Sequence, residues 1–172
     1  MTGLRRYDRA VARLRRSSSA LVEPVGADLV ALAQAHALDV TVFPHSSLPP
    51  VLGADSPPNV WIARAEPGGP VVGFIATRSR DGALEITGLA IDASHRRTGL
   101  GRALVRAAVR SARVRWLDRV TLNVSIGNTA AIALYIGERF RKDRRVAGFY
   151  SATRFPDGGD AWVMTRDLTA DS

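Results

Sequence analysis

Residues 96–102 read Arg96-Arg97-Thr98-Gly99-Leu100-Gly101-Arg102. They follow an apolar, β-like run from Leu84 to Ile91 and precede a long helical pattern that opens at Gly99. A helix that starts from such a turn presents unpaired backbone N–H groups and the positive end of its dipole, which together favour an anion, most naturally a phosphate. The glycines let backbone come close to the ligand, and Arg96, Arg97 and Arg102 add charge-assisted donors. A second segment runs from Thr121 to Phe140. Val120-Thr121-Leu122-Asn123-Val124 alternates like a strand, and Asn128-Thr129-Ala130-Ala131-Ile132-Ala133-Leu134-Tyr135 reads as a helix with Asn128 as its N-cap.

In order and spacing these two segments resemble the GNAT superfamily of acyl-CoA-dependent N-acyltransferases. The first matches its Arg/Gln-x-x-Gly-x-Gly/Ala pyrophosphate loop, and the second its Asn-x-x-Ala-x-x-Leu-Tyr-x-x-x-Gly-Phe segment. The closing pair here is Arg139-Phe140, so the usual glycine is replaced. The resemblance spans about residues 60–167. It implies an α/β (α+β) GNAT fold: a mixed, mostly antiparallel sheet of six to seven strands flanked by about four helices. It also implies acetyl-CoA as cofactor, bound through Arg96, Arg97, Thr98, Gly99, Leu100, Gly101 and Arg102. The preceding strand would contribute backbone contacts from Leu89, Ala90 and Ile91, and the second helix contacts from Asn128, Ala131 and Tyr135. Plain core packing is the competing reading for Leu89 and Ile91, and both can hold at once; capping alone would explain Asn128.

The implied reaction is attack of a substrate amine on a thioester. It needs a held cofactor, a deprotonated amine, a polarised carbonyl and a proton for the leaving thiolate. Tyr135 matches the family's general acid. A phenol with an ordinary pKa near 10 stays protonated at neutral pH and can donate to a thiolate whose acid titrates near 8.5. Its competing reading is a packed tyrosine. Glu85 stands where several members place a base. On an alternating strand Glu85, Thr87 and Leu89 share a face, which brings Glu85 toward the groove; the competing reading is an ordinary solvent-facing carboxylate.

Among members, the bacterial ribosomal-protein N-terminal acetyltransferases are nearest in motif, through residues 128–135 and the tail from Phe149-Tyr150 to Met164. They carry a glutamate base where this chain has Asn123, and an amide cannot take the proton. Either Glu85 substitutes as base or the substrate differs, and a small-molecule or otherwise undefined primary amine is the first expectation for the acceptor. A peptide N-terminus comes second, and a CoA-binding module without turnover is the third alternative.

The elements that must position these groups follow from the pattern. At 172 residues, 46% of them hydrophobic, the chain suits one domain over 21–168. A basic arm (1–20) precedes it and a short tail (169–172) follows. With no cysteines, disulfides and thiol catalysis are excluded, and His36, His45 and His95 have no metal-ligand spacing. No apolar span or signal-peptide core is seen, so a cytoplasmic location and no membrane partner are expected, as a monomer or homodimer. The net charge is +8, with +5, +7 and +4 in residues 1–16, 96–119 and 139–145 and −8 across the rest. Much of that positive charge lies on and after the phosphate loop. With no aromatic interleaving, nucleic acid is not the expected partner.

Residues 4–16 read as a short amphipathic helix or a frayed arm, Leu21–Val25 as the first strand, and Asp28–Leu38 as the first helix. Seven of nine prolines fall between Val40 and Pro70, which rules out a continuous helix there. Strands are expected at Asn59–Ala63, Val71–Ala76 and Leu84–Ile91 as an antiparallel meander, and at Ala161–Met164 near the end. The helix from Gly99 to Val114 carries Leu100, Leu104, Ala107, Ala108, Ser111 and Val114 on one side. Arg102, Arg106, Arg110 and Arg113 lie on the other.

Overall fold

The division of faces on that helix decides how the sheet is covered. In the computed structural model, which describes residues 21–26, 28–43, 48, 59–150 and 159–169, the elements in chain order begin with β1 (Val22–Pro24), α1 (Leu29–Val42), β2 (Asn59–Arg64), β3 (Val71–Arg80) and β4 (Ala83–Ile91). A 3-10 turn (Ala93–His95), α2 (Leu100–Val114), β5 (Arg119–Ser125), α3 (Thr129–Gly137), β6 (Arg141–Val146) and β7 (Ala161–Asp167) complete them. The seven strands form one sheet in the order β1-β2-β3-β4-β5-β7-β6. Every neighbouring pair is antiparallel except β4 with β5.

On α2, Leu104, Val105, Ala107, Ala108 and Ala112 are fully buried against one face of the sheet, where they meet Leu84, Ile86, Val120, Leu122 and Met164. Val114, expected on that stripe, is exposed at the very end of the helix, whereas Ser111 and Ala112 of the same turn stay buried. Helix α1 covers the opposite face, with Ala31 and Ala35 against Val60, Ile62, Phe74 and Ala76. Asp28 caps α1 by accepting from the Ala31 amide at 2.9 Å. The helix runs four residues beyond the expected Leu38 and stops at Phe43, the residue before Pro44, as the steric clash with a following proline requires.

The meander is built as the sequence indicates. Asp81 and Gly82, with φ of 49° and 71°, form the two-residue turn between paired Arg80 and Ala83. Two features depart from expectation. Strand β6 was not visible in Arg141-Lys142-Asp143-Arg144-Arg145-Val146, because an edge strand exposed along nearly its whole length carries no apolar alternation. The helix count also falls short of about four: the described residues hold three α-helices, and residues 93–95 manage only a single 3-10 turn. The candidate helix at 4–16, His45 and the last residues of the tail lie outside the described residues.

Candidate cofactor cleft and active site

Strands β4 and β5 are parallel and pair only from Ala83↔Arg119 to Ile86↔Leu122. Beyond that point β4 keeps β3 as its neighbour and β5 keeps β7, so Thr87–Ile91 and Asn123–Ser125 splay apart. The break coincides with an irregularity in β4. Ile86 pairs with Thr77 and Gly88 with Ala76, which leaves Thr87 as the extra residue of a β-bulge.

The bulge inverts the faces. Leu84 and Ile86 pack with the α2 core, but after Thr87 it is Leu89 and Ile91 that do so, while Ala90 joins the α1 side. Simple alternation put Glu85, Thr87 and Leu89 on one face; the extra residue overturns that. Glu85 lies on the α1 side, within the stretch where β4 still pairs with β5, and its Oε2 accepts from Arg78 Nε across the β3–β4 ladder at 2.7 Å. This contact holds the Arg78 guanidinium pKa above its ordinary value.

At the open end of β4 the chain turns over a short, well-tied loop. Asp92 accepts from the Ser94 amide (2.9 Å), the Ser94 hydroxyl and His95 Nδ1 (3.3 Å). The Ser94 hydroxyl above all, then His95, holds the Asp92 carboxyl below the usual carboxylate range. The order this cap confers is present above that range and is lost as pH falls through the lowered value. Thr98 Oγ1 donates to the His95 carbonyl at 2.7 Å, and Arg96 Nε to the Ile91 carbonyl at 3.2 Å. Gly99 then takes φ +92° as the N-cap of α2. A Cβ there would meet open space, so it is the left-handed backbone that asks for glycine, not crowding. The amides of Leu100, Gly101 and Arg102 occupy the first turn, where an α-helix offers them no acceptor.

Helix α3 supplies the facing wall. Asn128 caps it by accepting from the Ala131 amide at 3.1 Å. α2 and α3 come close at Gly101, where a Cβ would stand 3.5 Å from Leu134 Cδ2 and 3.8 Å from Ile91 Cγ1. Between these walls lies a cleft of about 750 Å³, within the range of small-molecule sites. Leu89, Ala90 and Ile91 line it from β4; Arg96, Arg97, Gly99, Gly101 and Arg102 from the loop and α2; Asn128 and Ala131 from α3. Ten of the candidate binding positions are thus brought together.

Thr98 and Leu100 are not in the lining: the first is turned to the His95 carbonyl, and the second is buried in the core. Sequence reasoning missed Val42, His95, Ala130, Ala133 and Leu134, which do line the cleft. Leu134 was legible within the motif. Val42 carried no signal, since only the fold brings the end of α1 to this mouth.

Tyr135 lies beside the cleft, outside its lining, and is buried in the α2-side core with its ring 5.6 Å from that of Phe140. Burial, with Tyr150 nearby, pushes its hydroxyl pKa far above the ordinary value, so it stays protonated throughout the working range. The absent glycine turns out not to change the turn that fixes this ring. Phe140 N donates to the Tyr135 carbonyl and Arg139 N to the Ile136 carbonyl, both at 3.0 Å. That is a Schellman ending with its usual apolar contact, and Arg139 occupies the left-handed position at φ 64°. The Asn123 carbonyl accepts from the Tyr150 hydroxyl at 3.2 Å, which ties residue 150 to the splayed end of β5. Among the described residues no group of His, Asp or Glu side chains could hold a metal ion, and no helix is long and apolar enough to cross a membrane.

An open strand edge, a helix N-terminus and flanking arginines on one cleft suit an extended, diphosphate-bearing ligand such as CoA. The comparisons with known proteins agree. The E. coli ribosomal-protein-S18-alanine N-acetyltransferase has the same fold, with a TM-score of 0.69 at 22% identity over 86% of this chain and 92% of that one. A mycothiol acetyltransferase from Thermobispora bispora is 42% identical over 78 residues, 41% of this chain and 26% of that protein. Mouse N-acetyltransferase family 8 member 3 is 35% identical over 88 residues, 48% and 38% respectively. The chain therefore spans less than half the length of these curated relatives. The cofactor of the family is acetyl-CoA, and a Bacillus subtilis acetyltransferase solved in complex with CoA shares the fold, with a TM-score of 0.57 at 22% identity. The profile of the acetyltransferase (GNAT) family matches residues 29–140, and the chain belongs to that family.

Proposed function

We propose that this protein transfers the acetyl group of acetyl-CoA to a primary amine, with a small-molecule acceptor as the first reading. The observation that carries it is the splay of β4 from β5, which leaves a strand edge open beside the first turn of α2. Backbone amides of Leu100–Arg102 hold the diphosphate, and Arg96 and Arg97 add charge. The edge Leu89–Ile91 orients the pantetheine arm as a further strand would, and a β4 amide polarises the thioester carbonyl. Acetyl-CoA supplies the activated acyl group.

Tyr135 is assigned the proton for the leaving sulfur. Its support is a hydroxyl kept protonated by burial, on the residue next to cleft-lining Leu134. Glu85 is assigned the amine's proton, through water, from the face opposite α2. Arg78 partly neutralises it, but that guanidinium is 57% exposed, so a cationic amine can compete for the carboxylate. Asn123, an amide on the splayed part of β5, cannot serve as base, and this favours a small amine over a peptide N-terminus.

The test is thiol release from acetyl-CoA with a panel of amines that includes peptides with free N-termini. Turnover of small amines supports the reading. Turnover confined to peptides reverses the order of acceptors. Protection against heating by acetyl-CoA with no thiol release from any amine marks a binding module instead.

A further inference from the structure

Glu138, the C-cap of α3, has a side chain only 5% exposed. Its two oxygens are treated unequally. Arg106 Nε donates to Oε2 at 3.0 Å. Arg102 Nε stands 3.3 Å from Oε1, close enough for an ion pair, yet Oε1 has no hydrogen-bond donor among the described residues. Arg102 also lines the cofactor cleft, from the first turn of α2, whereas Arg106, one turn further along, does not. One guanidinium therefore belongs to two anionic neighbourhoods: a buried carboxylate already present and the diphosphate that the cleft is built to receive. Arg102 lies across the end of α3, with a terminal nitrogen 3.8 Å from where a Gly137 Cβ would be.

We propose that Glu138 competes with the diphosphate of the cofactor for Arg102, and so sets how firmly the cleft holds and how fast it releases the nucleotide. This rests on the reading of the α2 N-terminus as the diphosphate site. The physical case is a balance. A guanidinium's donors form a fixed planar fork, which cannot satisfy two anions in different directions equally well. A buried carboxylate left without any partner would be strongly unfavourable, and that would forbid the exchange. Arg106 removes the prohibition by staying on Oε2. The longer, poorly directed Arg102 contact is then the one free to move. Glu138 is thus a positioning residue: it acts on the cofactor through Arg102 and touches no reacting atom.

The experiment is titration calorimetry of CoA with the wild type, Glu138→Gln, Arg102→Gln and the double variant, with stopped-flow release rates. Glu138→Gln should tighten CoA binding about fivefold, chiefly through slower release, because the freed guanidinium turns to the phosphates. In the Arg102→Gln background the same change should do nothing. Should Glu138→Gln fail to fold, Arg106→Gln supplies the opposite perturbation. It leaves the Glu138 carboxylate without its Oε2 donor, so that Arg102 is drawn more firmly to it, and should weaken CoA binding by about threefold, more than Arg110→Gln, which removes the same charge one turn further along. Unchanged or weaker CoA binding by folded Glu138→Gln would overturn the proposal. So would an equal tightening when Arg102 is absent, which is the mark of a long-range charge effect. So would equal losses in Arg106→Gln and Arg110→Gln. No CoA uptake by the wild type would remove the site reading itself, a result distinct from uptake that Glu138 does not influence.

Discussion

The two halves of β4 use their edges in opposite ways. From Ala83 to Ile86 the strand is held by β3 on one side and β5 on the other, and Leu84 is fully buried. From Thr87 to Ile91 it keeps β3 alone, and its last three residues face a cleft. Backbone groups inside a fold have to find partners. An interior edge with no strand against it is therefore a place where a ligand can complete the sheet. The bulge at Thr87 makes the change possible: it ends the β4–β5 register and swaps which side chains reach the α2 core. The same device separates the two sides, with Leu89 and Ile91 toward the cleft and Glu85 toward the opposite face.

Hydrogen exchange gives the most direct way to break this comparison. CoA should slow exchange across residues 87–91 by on the order of tenfold or more and leave 83–86 as it was. Equal protection of both halves without CoA would remove the contrast. The largest change in affinity is expected from Gly101→Phe, which fills the gap between Leu134 and Ile91 and should weaken CoA binding on the order of 100-fold, some 3 kcal/mol, with the fold intact by circular dichroism. Gly101→Ala should be nearly silent, because a Cβ there makes only ordinary contacts.

Tyr135→Phe should lower kcat about 10- to 100-fold while CoA affinity stays within about twofold. Equal losses in rate and binding would mark Tyr135 as packing alone. Glu85→Gln should lower kcat/KM about tenfold, since a neutral amide cannot accept the proton of the attacking amine. An unchanged kcat/KM would take Glu85 out of the mechanism. The smallest effect is expected at the end of α3. Arg139→Gly removes the strain of a left-handed side chain and should stabilise the protein by about 1 kcal/mol, a rise in Tm of roughly 2–4 °C, without altering CoA binding. A lower Tm would mean that the contacts of Arg139 outweigh its backbone strain.

The sequence by itself determined what is local. Gly99 and Gly101 at a strand-to-helix turn, Asn128 as a cap, the apolar stripe of α2 and the Asp81-Gly82 hairpin each follow from one residue's backbone preference or a short period, and all are present. The tertiary structure decided what depends on neighbours distant in the chain. Edge strand β6 is charged because it packs little, so no periodicity announces it. The bulge at Thr87 exists only relative to β3, and it moved Glu85 off the face that alternation assigned. Arg139 keeps a glycine's conformation because the Schellman hydrogen bonds and the Tyr135–Phe140 contact hold it there. Val42 reaches the cleft only through the packing of α1. A backbone preference acts within a few residues, whereas which face, edge or cavity a side chain meets is set by whichever strand lies alongside.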